Sequence, residues 1–347
     1  MSPAERRVRP PRLRPGDLVM IVNPSRALPG PDALLPAVRG LEARGLRVRL
    51  GVHVSERWTP PAEAGQPAAP ALAGRDEARA ADLNAAFADP AVRLVLAAWG
   101  GGGAARLLRP GLIDWPALAR DPKLLCGFSD FAHLGLVAHH WLGLVTFDGP
   151  SAMQWAAPPG EPMLDQAWAV LSAAAPFGPL PAAETWYASQ FPPAAPGAPP
   201  VRARAGGRRW LRPGRAAGRL VAAMPAILLH LHKRGLAPSL AGAIWCLDSY
   251  RDPPARVAEW LTALRQRGAL DGLAGLVVAR PWPGAAAPDP DLDRAVLAAT
   301  TGLRPAPPVL AAADTGHTWP KWTLPNGVQA SLDSDADRFS VDEPAVA

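Results

Sequence analysis

Short apolar runs of strand length alternate with segments of helical spacing along most of this chain, and that alternation limits the folds open to it. Residues 17–23 (Asp-Leu-Val-Met-Ile-Val-Asn) read as a buried strand ending at Pro24-Ser25-Arg26. Residues 34–44 have helical spacing and lead to a second strand at 46–52. Strand, helix and strand in succession predict a parallel pair, because a parallel neighbour needs a crossover of a dozen or more residues. A polar helix from Gly74-Arg-Asp-Glu-Ala-Arg79 then runs to about Phe87 and stops at Asp89-Pro90, before a strand at 92–98. The expected class is α/β, a parallel sheet with helices on its faces.

The same alternation returns late in the chain, with strands expected at 243–247, 273–279, 308–312 and 328–332 and helices at 224–234, 257–264 and 291–299. Between the two lies a proline-rich stretch, 158–200, which reads as irregular and contains Trp168, Trp186 and Tyr187. Isolated tryptophans in such a stretch are more often packing anchors than ligand platforms, although a long ordered loop is often functional. The 347 residues are enough for two domains with separate cores. We expect an amino-terminal α/β domain over 1–155, a crossing segment or lid over 156–207, and a smaller carboxy-terminal domain over 208–347.

Composition narrows the function classes. The chain is 49% hydrophobic and 19% charged, as an ordinary globular protein is. Its net charge of +6 invites a nucleic-acid partner, but the arginines are scattered rather than gathered on one motif. Cys126 and Cys246 are the only cysteines, each inside an apolar run, so buried free thiols are expected rather than a disulfide or a metal site. His230 and His232 are spaced i, i+2 on a helix and face different ways, which argues against a shared metal. The polar beginning MSPAERRVRPPRLRPGD has no apolar leader core, and no apolar run reaches membrane-spanning length. A cytoplasmic protein is expected, with no metal, organic cofactor, nucleic acid or membrane partner.

Four places carry candidate chemistry. In Lys123-Leu-Leu-Cys-Gly-Phe-Ser129-Asp130 a short strand meets Gly127 and then a helix-spaced run, which puts Ser129 at a strand-to-helix elbow. A serine there is held out of the sheet near backbone N–H groups, as a nucleophile must be; the plainer reading is that Ser129 caps the helix. Trp99 and Gly100-Gly-Gly-Gly103 follow a strand, where bare backbone can approach a ligand and form one wall of an oxyanion hole. The glycine spacing is wrong for a dinucleotide motif. Asp248 ends an apolar strand and is placed to enter a cleft or to close a turn. His317, beside Gly316 in a loop after another strand, is a candidate base. Thr323-Leu-Pro-Asn-Gly327 reads as a turn.

These segments together resemble the LD-carboxypeptidases. The likeness runs through Leu13-Arg-Pro-Gly-Asp17, Val22-Asn-Pro-Ser25, the glycine turn, Gly127-Phe-Ser-Asp130, Phe147-Asp-Gly-Pro150, Gly275-Leu-Val-Val-Ala-Arg-Pro281, Gly316-His317 and the Thr323–Gly327 segment, in family order. Trp210 ahead of Gly218-Arg219-Leu220 looks more like the microcin C immunity branch than the murein-recycling branch. The resemblance implies a flavodoxin-like first domain, a smaller second domain, a site at their cleft and pairing into homodimers. It implies a serine–histidine–acid triad: Ser129 as nucleophile, His317 as base, and Asp248 where the family has glutamate. Backbone N–H groups of Gly101 and Asp130 would form the oxyanion hole. Trp99, Gly102, Trp186 and Trp210 are the expected substrate contacts. Trp99 stands where the family usually has arginine, and Ala222-Ala223 where it often has two glycines.

The expected function is cleavage of an amide in a small peptide, muropeptide or aminoacyl- or peptidyl-nucleotide conjugate. The alternative is a catalytically impaired relative that binds such a conjugate; a nucleic-acid binder ranks last.

Overall fold

A computed structural model of the chain describes residues 7–61, 70–157, 159–191, 203–281 and 289–347. The first six residues, on which the leader reading partly rests, and residues 158 and 192–202 of the proposed crossing segment lie outside the described residues.

Two sheets organise the fold. The first runs, edge to edge, Leu324–Asn326, Thr146–Asp148, Leu124–Gly127, Val92–Ala97, Leu18–Val22 and Arg47–Leu50. Numbered in chain order, its five parallel strands lie 2-1-3-4-5, the flavodoxin-like arrangement. Every residue of Leu18–Val22 is buried, as expected for a parallel strand covered on both faces. The second sheet has eight strands. Its centre is four parallel strands, Arg215–Ala223, Ala243–Leu247, Gly275–Ala279 and Val309–Ala313, flanked by antiparallel ones. The expected two-domain α/β class is what the chain adopts.

Two local expectations fail. Leu324–Asn326 is a strand rather than a turn, and it extends the first sheet antiparallel to Thr146–Asp148 although it lies far along the chain. Its short apolar signal hides the role of Asn326. That side chain accepts from Ala222 N–H (2.8 Å) and donates to Thr146 Oγ1 (3.2 Å), so it joins the two sheets. The proline-rich stretch is not uniformly irregular either, since Pro162–Ser172 is a helix. Pro162 sits in its first turn, where the missing N–H costs no bond, and Met163, Leu164, Ala167 and Leu171 bury one face.

In open α/β sheets a ligand sits beyond the carboxyl ends of the strands, where the strand order reverses. Here the order reverses between Leu18–Val22 and Val92–Ala97. Their carboxyl ends lead into Ser25-Arg26 and Trp99-Gly100, with Ser129 following the next strand.

Candidate active site

The strand Leu124–Gly127 is wholly buried, and Phe128 after it is still extended. Ser129 then turns with φ +60°, a left-handed conformation rare outside glycine, before the helix Ala132–Leu142. Such strain costs on the order of 1–3 kcal/mol and holds only where the surrounding structure enforces it. The capping alternative is not met. The residues at the N-cap positions of the short turn and of the helix are Phe128 and Phe131, and neither cap has a side-chain hydrogen bond.

Gly100 faces the serine. A Cβ built on it would lie 2.9 Å from Ser129 Cβ, 3.0 Å from Ser129 Oγ and 3.5 Å from Asp130 N. Only a residue without a side chain leaves that space open next to the hydroxyl and the Asp130 N–H. Asp130 locks this arrangement. Its Oδ2 accepts from Ser25 Oγ and from Ala104 N–H, each at 2.7 Å, and His133 Nδ1 lies 3.3 Å from its Oδ1. Burial opposes ionisation of this carboxyl. The His133 hydrogen bond and charge, then the Ala104 and Ser25 bonds, outweigh burial and hold it below the usual carboxylate range. One carboxylate thus ties the end of the first strand, the glycine turn and the serine elbow together.

The other half comes from the second sheet. The buried strand Ala243–Leu247 delivers Asp248, whose Oδ2 is hydrogen-bonded to His317 Nδ1. Tyr250 N–H donates to Asp248 Oδ1 at 3.0 Å. Burial opposes ionisation of Asp248, but the His317 charge and hydrogen bond lead the opposing effects and keep it below the ordinary range. A side chain at Gly316 would begin 2.8 Å from Asp248 Oδ1, so glycine there permits the acid and the histidine loop to approach. The imidazole is 2% exposed and lies between two rings, Tyr250 at 4.2 Å and Phe128 at 4.9 Å between centroids. Phe128 adjoins Ser129 in the chain, and Nε2 is the ring nitrogen that the Asp248 bond does not use. Ser129, Asp148, Asp248, Thr315 and Lys321 line one cavity of about 10 Å³, room for about one water. Lys321 Nζ donates to Asp148 and to Thr315 O (2.9 Å); burial pushes the Asp148 carboxyl up against the pull of that ammonium.

The proposed nucleophile, base and acid therefore gather at the junction of the two sheets, and so do the glycine turn and Asp130. Trp99 lies at the same edge, half-buried, with Arg26 stacked on it at 4.5 Å. Gly102 has φ +126° and open space where a Cβ would be. Trp186 and Trp210 do not line the cavity. Trp186 is 1% exposed, lies under the guanidinium groups of Arg204 and Arg280, and donates its indole N–H to Ala205 O. Trp210 sits on an edge strand and donates to Asp337 Oδ1 at 2.9 Å. The Trp186 indole is taken up by packing, and that of Trp210 is half-buried with its N–H used by Asp337.

Sequence reading named Gly100 only as part of the glycine turn and gave no role to Ser25, Tyr250 or Lys321. Asn-Pro-Ser was a signal for Ser25; Tyr250 and Lys321 had none. Cys126 and Cys246 are free and buried, and burial pushes both thiols up. Among the described residues no group of three or more His, Cys, Asp or Glu side chains is placed to hold a metal ion, and no helix is long and apolar enough to cross a membrane.

A flavodoxin-like domain joined to a second, mixed sheet, with a strained serine and an acid–histidine pair at their junction, defines a two-domain α/β peptidase class. Models of the LD-carboxypeptidase N-terminal and C-terminal domains match residues 19–149 and 217–332. A candidate carboxypeptidase of Streptomyces coelicolor, SCO6489, is 34% identical over 98% of this chain and 97% of its own. The murein tetrapeptide carboxypeptidase of Pseudomonas aeruginosa is 38% identical over 39% of each chain. An MccF-like protein of Bacillus anthracis superposes with a TM-score of 0.83 at 23% identity, over 96% of this chain and 99% of that one. The microcin C7 self-immunity protein MccF in complex with aspartyl sulfamoyl adenosine superposes with a TM-score of 0.81 at 20% identity, over 98% of this chain and 100% of that one. The chain belongs to the LD-carboxypeptidase family.

Proposed function

We propose that this protein is a serine-type carboxypeptidase or amidohydrolase that cleaves an amide in a small peptide, muropeptide or aminoacyl-nucleotide conjugate. The observation that carries the reading is the direct Asp248–His317 hydrogen bond beside the strained Ser129. Ser129 Oγ attacks the carbonyl carbon while His317 Nε2 takes its proton, and Asp248 holds the imidazole in the tautomer that allows this. N–H groups of Gly101 and Asp130 stabilise the oxyanion, each worth roughly 3–4 kcal/mol. The C–N bond breaks as His317 returns the proton to the leaving amine. Water then attacks the acyl-serine with His317 as base, which releases the acid and restores the hydroxyl.

The names of the relatives support both substrate classes, murein tetrapeptide from one and an aminoacyl-nucleotide analogue from the other. The test is labelling of the purified protein with a fluorophosphonate probe. Labelling that disappears in Ser129→Ala is expected. Its absence from the intact protein at neutral pH would move the assignment to the binding-only alternative. Homodimers and a cytoplasmic location remain part of the proposal, the first checked by sedimentation.

A further inference from the structure

We propose that Arg26, stacked on Trp99, is the anion-recognition residue of this site and binds a carboxylate or phosphate carried by the substrate close to the scissile bond. The inference rests on the hydrolase reading for the position of the reacting carbonyl, but the anion site itself stands on separate observations.

Arg26 is exposed, and its Cζ lies 4.5 Å from the centre of the Trp99 ring. The contact is reciprocal, since Trp99 Nε1–H donates to Arg26 O at 2.8 Å. The backbone of Arg26 is also bridged to Leu72, whose side chain lies against the position a Cβ at Gly103 would take. The guanidinium is therefore held before any ligand arrives, which removes part of the ordering cost of binding. Among the described residues no carboxylate pairs with Arg26 and no oxygen accepts from its guanidinium. Aromatic stacking uses the face of the group and leaves its N–H edge open, and that edge matches the two oxygens of a carboxylate or phosphate.

The position fits a substrate. A Cβ at Gly101 would lie 3.1 Å from Arg26 Cβ and 3.2 Å from its Nε, while one at the neighbouring Gly100 would lie 3.0 Å from Ser129 Oγ. Consecutive Cα atoms are about 3.8 Å apart, so the guanidinium lies on the order of 10 Å from the hydroxyl, about three residues of extended chain. An anion one or two residues from the scissile amide can reach it. The terminal carboxylate of a peptide and the phosphate of a nucleotide both meet that description.

The test uses Ser129→Ala protein, so that binding is read without turnover. Calorimetry is run with three ligands: a murein tetrapeptide with a free terminal carboxylate, the same peptide with that terminus amidated, and AMP. Tighter binding of the free acid than of the amide, with the difference lost in Arg26→Gln, identifies a carboxylate site. AMP binding that weakens roughly 10-fold or more in Arg26→Gln, with no preference between acid and amide, identifies a phosphate site. Arg26→Lys should keep part of the affinity, because it keeps the charge but not the fork. If Arg26→Gln weakens acid and amide equally, or if neither anion binds the protein with Arg26 intact, the inference is overturned. Fluorophosphonate labelling of the protein with Ser129 and Arg26 both intact separates the two readings. Anion binding without labelling sinks the hydrolase alone, and labelling without anion binding sinks the Arg26 site alone.

Discussion

Asp248 and His317, 69 positions apart, are hydrogen-bonded side chain to side chain, with no gap left by the acid that is one methylene shorter than the glutamate of the wider family. Tyr250 N–H and the bare backbone of Gly316 close around the other carboxylate oxygen, so the recess has the dimensions of aspartate. Asp248→Asn should therefore lower kcat by roughly 10³–10⁴-fold with little change in KM, because the orienting bond strengthens as imidazolium forms. Asp248→Glu should also lose activity, since the added methylene overpacks the recess. Recovery of activity in the glutamate variant would show that the recess is larger than this geometry allows.

Gly100→Ala places a methyl 3.0 Å from Ser129 Oγ, in the space assigned to the substrate carbonyl. Fluorophosphonate labelling should fall by at least about 100-fold while the circular dichroism spectrum stays unchanged. Normal labelling would put the carbonyl on another side of the serine.

Asp130 gives a pH signature. Its pKa is depressed in the folded protein and near 3.9 when unfolded, so its stabilisation is complete above the unfolded value and is lost as pH falls through the folded one. Asp130→Asn should lower stability by about 2 kcal/mol at pH 7, read from urea midpoints. The gap to the parent protein should narrow below about pH 4. A gap that is constant down to pH 3 would mean that the carboxylate charge contributes nothing.

Trp186 acts on the histidine loop from behind. It underlies Arg280, which pairs with Asp314 at 2.8 Å, and the adjoining Tyr187 exchanges backbone hydrogen bonds with Trp319, two residues past His317. Trp186→Ala should cost roughly 3–5 kcal/mol of stability. Any surviving folded protein should keep its KM and lose kcat, whereas a direct substrate contact would raise KM.

The local pattern was enough to read the alternating elements, because parallel strands buried on both faces must be apolar throughout and their crossovers must be amphipathic. Residues 243–247 were read correctly to the residue, and Leu18–Val22 and Pro225–Lys233 within one. Ser129, Asp248 and His317 were legible because each lies within a few residues of the end of an apolar run and because their motifs recur together in a family. What the sequence could not show depends on contacts between distant segments. Leu324–Asn326 becomes a strand only because an edge of the other domain's sheet is open to it. Trp186, expected among the substrate contacts, is instead covered by Arg204 and Arg280. Tyr250 and Lys321 enter the site through the juxtaposition of two sheets, and Arg26 meets Trp99 across 73 residues of chain. Periodicity reports which face of an element is buried, but only the packed structure decides what is buried against it.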